Sequence, residues 1–207
     1  MDKIDYKKDE KAFYLPPAKP VRVTIPKMKF FMISGTGDPN TSKTFSDALQ
    51  ALYSLSFTVK MSPKSCSAPE GYREYTVYPL EGVWDMDDRA DDFAELDKNL
   101  FRYTLMMRQP DFVSEEYALE TIAAVQRKKA LPLLSEVTFG EIEEKDCVQI
   151  MHIGPFDDEP ASFRKLADFL AENGLSRTET AHREIYLSDF RRTAPEKLKT
   201  VLRWKVQ

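Results

Sequence analysis

The order in which strand-like runs and helical stripes follow one another constrains this chain more than any single motif. Residues 28–37 (MKFFMISGTG) form an apolar run rich in strand formers that stops at glycines. Phe45, Ala48, Leu49, Leu52, Leu55 and Val59 then recur at helical spacing, with Asn40 or Thr41 as the candidate cap. Two further strand-like runs follow, residues 74–84 (EYTVYPLEGVW) and 101–109 (FRYTLMMRQ). The same order then returns. Residues 147–153 (CVQIMHI) read as a strand stopped by Gly154-Pro155. Asp158 caps a helix with Pro160 in its first turn, a buried stripe at Phe163, Leu166, Ala167 and Leu170, and a stop at Asn173-Gly174. Residues 181–190 and 199–206 close the pattern as strands.

This order predicts an α+β fold built from a duplicated strand-helix-strand-strand unit. The expected halves are residues 21–109 and 145–207 of a single 1–207 domain, joined by a helix over 114–130. Antiparallel sheets would carry helices on one face and leave a ligand cleft between the pseudo-symmetric halves. Outside the repeat, residues 5–14 read as a short charged helix before Pro16-Pro17. Residues 21–26 (VRVTIP) read as a short strand, and 62–71 as a loop.

Composition narrows the function classes. A chain of 207 residues with 42% hydrophobic and 31% charged residues is neither disordered nor, lacking an apolar run of roughly 18 residues, membrane-spanning. The first residues, MDKIDYKKDEK, have charge but no apolar stretch behind them, unlike a secretory signal. Two cysteines, Cys66 and Cys147, are too few for a disulfide scaffold, so a cytoplasmic, reduced protein is expected. A net charge of -4 argues against a nucleic-acid partner. Residues 85–97 (DMDDRADDFAELD) concentrate seven acids against one Arg. A cation or basic-partner site is one reading of them, and a solvated loop the plainer one.

The candidate chemistry lies on two segments. In His182-Arg183-Glu184-Ile185-Tyr186, period two turns His182, Glu184 and Tyr186 one way and Arg183 and Ile185 the other. A carboxylate is thus flanked by an imidazole and a phenol. In Pro79-Leu80-Glu81-Gly82-Val83-Trp84, a bulge at Gly82 would bring Glu81 and Trp84 to one face, whereas regular alternation would separate them. Tyr103 and Met107 share parity and could form an aromatic, adaptable wall, or plain core. His152 is a candidate polar end of the pocket, or a satisfied strand-end residue. The few histidines at undistinctive spacing leave no expected metal site. No phosphate-cradling loop or serine nucleophile elbow is present.

Taken together, the segments KPVRVTIPKMKFFMISGTGDPN, YTVYPLEGVW, FRYTLMMRQPDFV, QIMHIGPFDDEP, HREIYLSD and PEKLKTVLR resemble stand-alone members of the GyrI-like small-molecule-binding domain family, over nearly the whole chain. The resemblance implies the duplicated fold and a cleft between the repeats. It implies a Glu on a late strand, here Glu184, that meets polar or cationic parts of aromatic ligands. Some stand-alone members hydrolyse cyclopropane-bearing DNA-alkylating toxins with cleft carboxylates and aromatic side chains. On that pattern Glu184 and Glu81 are the catalytic candidates. Trp84, Tyr103, Tyr186, Met107, His152 and His182 are the ligand-binding ones. The partner would be a lipophilic aromatic small molecule, with no cofactor. The chain departs from the family at Arg183, where a second His or similar residue is expected, and at Phe190, where a Pro is expected.

Overall fold

The structure is a computed structural model and describes residues 3–85 and 101–207. Its eight strands are β1 (Val21–Ile25), β2 (Met28–Thr36), β3 (Leu80–Asp85), β4 (Arg102–Gln109), β5 (Thr138–Ile142), β6 (Lys145–Ile153), β7 (His182–Tyr186) and β8 (Lys199–Lys205). The helices are α1 (Tyr6–Asp9), α2 (Lys11–Tyr14), α3 (Lys43–Met61), α4 (Glu115–Lys128) and α5 (Glu159–Asn173). Of the acidic run, all but Asp85 lies outside the described residues. Among the described residues no helix is long and apolar enough to cross a membrane.

The strands form one antiparallel sheet in the order β1-β6-β8-β7-β3-β4-β2-β5. Its centre is mirrored: β2-α3-β3-β4 gives the strand order β2-β4-β3, and β6-α5-β7-β8 gives β6-β8-β7. The two units meet at the β3–β7 pair, so they share one sheet. Each edge strand joins the more distant unit in sequence: β1 pairs with β6, and β5 with β2.

The helices form where the stripes predict them, with local corrections: Ala167 of the α5 stripe is exposed, and Asp158 precedes α5 without a side-chain capping bond. All six apolar positions of α3 are buried, but the cap is Ser42, whose Oγ accepts from the Phe45 amide at 3.2 Å. α5 ends at Gly174, whose φ of 63° is the left-handed stop that glycine supplies. Residues 5–14 break into α1 and α2 at Glu10, and residues 74–79 approach the sheet without joining it. α3 packs through Phe45 onto Trp84 and Tyr103, and α5 through Phe163 onto His182 and Trp204. Both helices therefore cover the same face.

The opposite face holds a chain of buried ions beneath the N-terminal helices. Arg183 donates to Glu81 (2.9 Å) and lies 3.1 Å from Glu144. Arg203 donates to Glu144 (2.7 Å), Gln149 (3.0 Å) and the Phe13 carbonyl (2.6 Å). Arg108 pairs with Glu10 at 2.8 Å and donates to the Tyr14 hydroxyl at 3.2 Å. Three guanidiniums and three carboxylates balance. Such burial is tolerable only because each charge has partners. Burial pushes the Glu144 carboxyl up, but Arg183 and Arg203 outweigh it and hold it below the usual range.

We predict that Glu144→Gln, which leaves two buried guanidiniums short of their shared carboxylate, destabilises the fold by about 3–5 kcal/mol. The urea midpoint reads this at neutral pH. A loss below about 1 kcal/mol would show that the guanidiniums find other acceptors. Because the folded carboxyl titrates below its unfolded value, its stabilisation is present above that value and disappears as pH falls. The gap between wild type and variant should therefore shrink below about pH 4.5.

Candidate functional site

The site is built on the β3–β7 pair. The register sets Leu80 opposite Tyr186, Gly82 opposite Glu184 and Trp84 opposite His182, without a bulge. β4 continues the same rows, with Tyr103 beside Trp84 and Met107 beside Leu80. Laterally paired residues share a face. Glu184, His182, Tyr186, Trp84 and Tyr103 therefore come together on the helix-bearing face, at the seam between α3 and α5.

Their polar atoms form a directed chain. Trp84 Nε1 donates to the Tyr186 hydroxyl at 2.8 Å, and that hydroxyl donates to Glu184 Oε2 at 2.7 Å. The other carboxylate oxygen, Oε1, lies 2.9 Å from His182 Nε2. All of these groups are buried, with Glu184 at 9% exposure. Burial, and then the neighbouring Glu184, raises the Tyr186 phenol well above its ordinary value, so it stays a donor.

Gly82 has a different role from the expected bulge. A Cβ built there would lie 2.7 Å from Trp84 Nε1 and 3.3 Å from the Tyr186 hydroxyl. The bare backbone makes room for that hydrogen bond. Gly35 does the same for Tyr103, whose ring would sit 2.6 Å from an added Cβ. Around this floor the aromatic rings interlock. Trp84 meets Tyr103 at 5.4 Å and Phe101 at 5.7 Å, while Tyr186 meets Phe156 and Phe190, each at 5.9 Å. Phe190, one of the two departures from the family pattern, thus extends the aromatic wall. The other, Arg183, belongs to the ion chain on the far face.

Glu81 is a correction to the sequence reading. With β3 regular, it points away from Trp84 and Glu184 into that ion chain, at 1% exposure, bonded to Arg183. Met107 lies on the helix-bearing face but deep under α3, where its sulfur accepts from Ser56 at 3.5 Å. His152 shares the face two strands from Tyr186, and both its nitrogens are engaged, with Ser162 Oγ and the Pro155 carbonyl at 3.0 Å each.

A second carboxylate is present that the sequence reading missed. Glu159, the first residue of α5, is buried at 6% exposure against Glu184. Burial, Glu184 and then Asp157 raise its carboxyl well above the usual range. In the sequence, residues 156–160 (FDDEP) signal only a helix start. Nothing local in it shows that Glu159 reaches β7.

Two cavities flank this group. One of about 450 Å³ runs along the start of α5 past His152, Asp158 and Arg164. One of about 270 Å³ opens toward the far face between His182, Arg183 and Arg203.

The chain matches the GyrI-like small molecule binding domain over residues 19–207 and belongs to that family. It is similar in structure to a hydrolase from Listeria innocua, at 38% identity and a TM-score of 0.88, covering 99% of this chain and 100% of that one. An uncharacterized conserved protein from Listeria innocua is 39% identical with a TM-score of 0.91, again over 99% and 100%. The EcmrR C-terminal domain, at 16% identity and a TM-score of 0.52 over 91% and 97%, shares the fold. No curated protein matches the chain.

We predict that Gly82→Ala forces Trp84 and Tyr186 apart, at a cost of about 1–3 kcal/mol in stability. Near-UV circular dichroism should lose part of its tryptophan signal in the folded variant. An unchanged spectrum and stability would show that the glycine provides no clearance.

Proposed function

We propose that this GyrI-like chain holds a flat, lipophilic aromatic molecule against the Trp84–Tyr186 floor and hydrolyses those that carry a strained cyclopropane conjugated to a dienone. The observation that supports this best is the directed chain from Trp84 through Tyr186 to Glu184, set among aromatic rings on the helix-bearing face. The half-buried Phe156 and Phe190 form the edge by which a ligand would enter. Aromatic faces on both sides hold a planar ligand by excluding water.

The reaction consumes one water. Its oxygen bonds to a cyclopropane methylene, the ring C–C bond breaks, and the released electron pair turns the dienone into a phenolate. Glu184 orients the water and takes its proton, and the phenolate oxygen is protonated to give a phenol. Tyr186 and His182 keep the Glu184 carboxylate fixed while it acts. Glu159, beside it, can hold or return a proton. General base assistance of this kind is worth about 10² to 10⁴-fold. That is enough for a substrate whose ring strain already drives opening, and no cofactor takes part. The hydrolase among the similar Listeria innocua structures agrees with this reading.

Loss of the dienone absorbance of a spirocyclopropyl dienone, with and without protein, tests the proposal. Glu184→Gln should lower the rate at least about tenfold while quenching of Trp84 fluorescence by the ligand survives. Tyr186→Phe should cost less, since the phenol only orients. Glu81→Gln should leave the rate of the folded protein unchanged. A Glu184→Gln rate equal to wild type would exclude the carboxylate mechanism. Binding without any rate above buffer would make the protein a non-catalytic binding module.

A further inference from the structure

The larger of the two cavities, about 450 Å³ at the start of α5, lies apart from the aromatic floor. His152 pairs with Thr200 of β8, and Thr200 with Tyr186 of β7, so two strand spacings, about 10 Å, separate His152 from that floor. His152 and Ser162 both line the cavity, together with Met151, Pro160, Arg164 and Lys165. Both are buried, at 4% and 6% exposure. Neither takes part in the chain from Trp84 through Tyr186 to Glu184.

Their hydrogen bonds give the two side chains distinct roles. His152 Nε2 lies 3.0 Å from the Pro155 carbonyl oxygen, which can only accept, so Nε2 carries the ring proton. In the neutral imidazole Nδ1 is then bare, and it accepts from Ser162 Oγ at 3.0 Å. The carbonyl is placed by its own turn. Gly154, at a φ of 137° that favours glycine, folds the chain back so that Pro155 reaches the ring three residues earlier. The partner of Ser162 also sets it apart from Ser46, Thr58 and Thr121, whose hydroxyls turn onto carbonyls of their own helices. Ser162 gives its hydroxyl to an imidazole instead. Hydroxyl, base and orienting acceptor thus stand in line beside a cavity, the arrangement that activates a serine. The serine sits on a helix and not at a strand-to-helix elbow, so no sequence motif marks it.

We propose that Ser162 is the nucleophile of a second site, which takes the acyl group of a small ester onto its own Oγ and passes it to water. Oγ bonds to the ester carbonyl carbon while His152 Nδ1 takes the hydroxyl proton. The carbon–oxygen bond to the alcohol breaks, and the alcohol leaves with that proton. Water then attacks the acyl-serine and gives a proton to Nδ1. The carboxylic acid departs as Oγ recovers the proton. One ester and one water become one alcohol and one acid. Arg164 and Lys165, in the wall of the same cavity, supply positive charge for the carbonyl oxygen as it becomes negative. Met151 and Pro160 give an apolar lining that suits a short acyl chain. Pro155 has a positioning role, holding the imidazole in the tautomer that leaves Nδ1 free to act as base.

The test uses p-nitrophenyl acetate. Wild type should release p-nitrophenolate in a burst of about one equivalent per chain, followed by slower turnover. Mass spectrometry of peptides from protein quenched during the burst should place the acetyl group on Ser162. Ser162→Ala should abolish both burst and adduct. Ser162→Cys, which keeps a nucleophile, should restore the adduct as a thioester. His152→Gln should slow acetylation by about 10²-fold or more. A pair that only ties β6 to α5 would lower the urea midpoint of all three variants and leave wild type unacetylated, which overturns the proposal. General base hydrolysis at Glu184 would release p-nitrophenolate without acetylating Ser162, and overturns it too. So does an acetyl group found on Lys165 instead, or an unchanged burst in folded Ser162→Ala. The wild-type adduct decides the matter even if no variant folds.

Discussion

The register of β3 on β7 is the constraint from which the rest follows. It sets Gly82 beside Glu184, and so leaves an open square of backbone where the Trp84 indole can reach the Tyr186 hydroxyl. A slip of one residue would exchange the faces of the whole strand. Arg183 would then sit among the aromatic rings and Glu184 among the arginines of the far face. Every residue of β7 is buried. Such a slip would place charges against the wrong partners on both sides of the sheet, so the register is held by electrostatics as well as by packing.

Those two sides divide the labour. The N-terminal helices close the far face over a balanced ion chain, in which Glu144 serves two guanidiniums and Arg108 ties Glu10 and Tyr14 to the sheet. Its contribution is specificity of assembly, since breaking a buried pair costs far more than the intact pair contributes. The helix-bearing face surrounds its acids with rings, and among the described residues no lysine or arginine is bonded to Glu159 or Glu184. A buried polar arrangement that lacks its counterpart is a strained one, and such arrangements gather where ligands bind.

Much of this was legible in the sequence. The apolar stripe of α3 gave its buried face, that of α5 did so at Phe163, Leu166 and Leu170 but not at the exposed Ala167, and alternation alone grouped His182, Glu184 and Tyr186. The GyrI-like resemblance agrees with the family that residues 19–207 match. The side that Glu81 takes was not legible, because a glycine in a strand permits a bulge as readily as a close approach, and only the partner strand distinguishes the two. Glu159 escaped because its role depends on α5 packing its first residue onto β7, a contact across 25 positions of chain. Glu144 and β5 (Thr138–Ile142) were missed for the same reason. A short, half-exposed edge strand carries almost no pattern, and a charge after it reads as surface until its arginines are seen.

The measurement that bears most directly on the central claim is a crystal structure of the protein with an aromatic ligand bound. The account places the ligand between the Trp84–Tyr103 and Tyr186–Phe156 rings, with a polar atom or an ordered water about 3 Å from Glu184. A ligand lodged instead on the far face, against Arg183 and Arg203 and out of reach of Glu184, would contradict it.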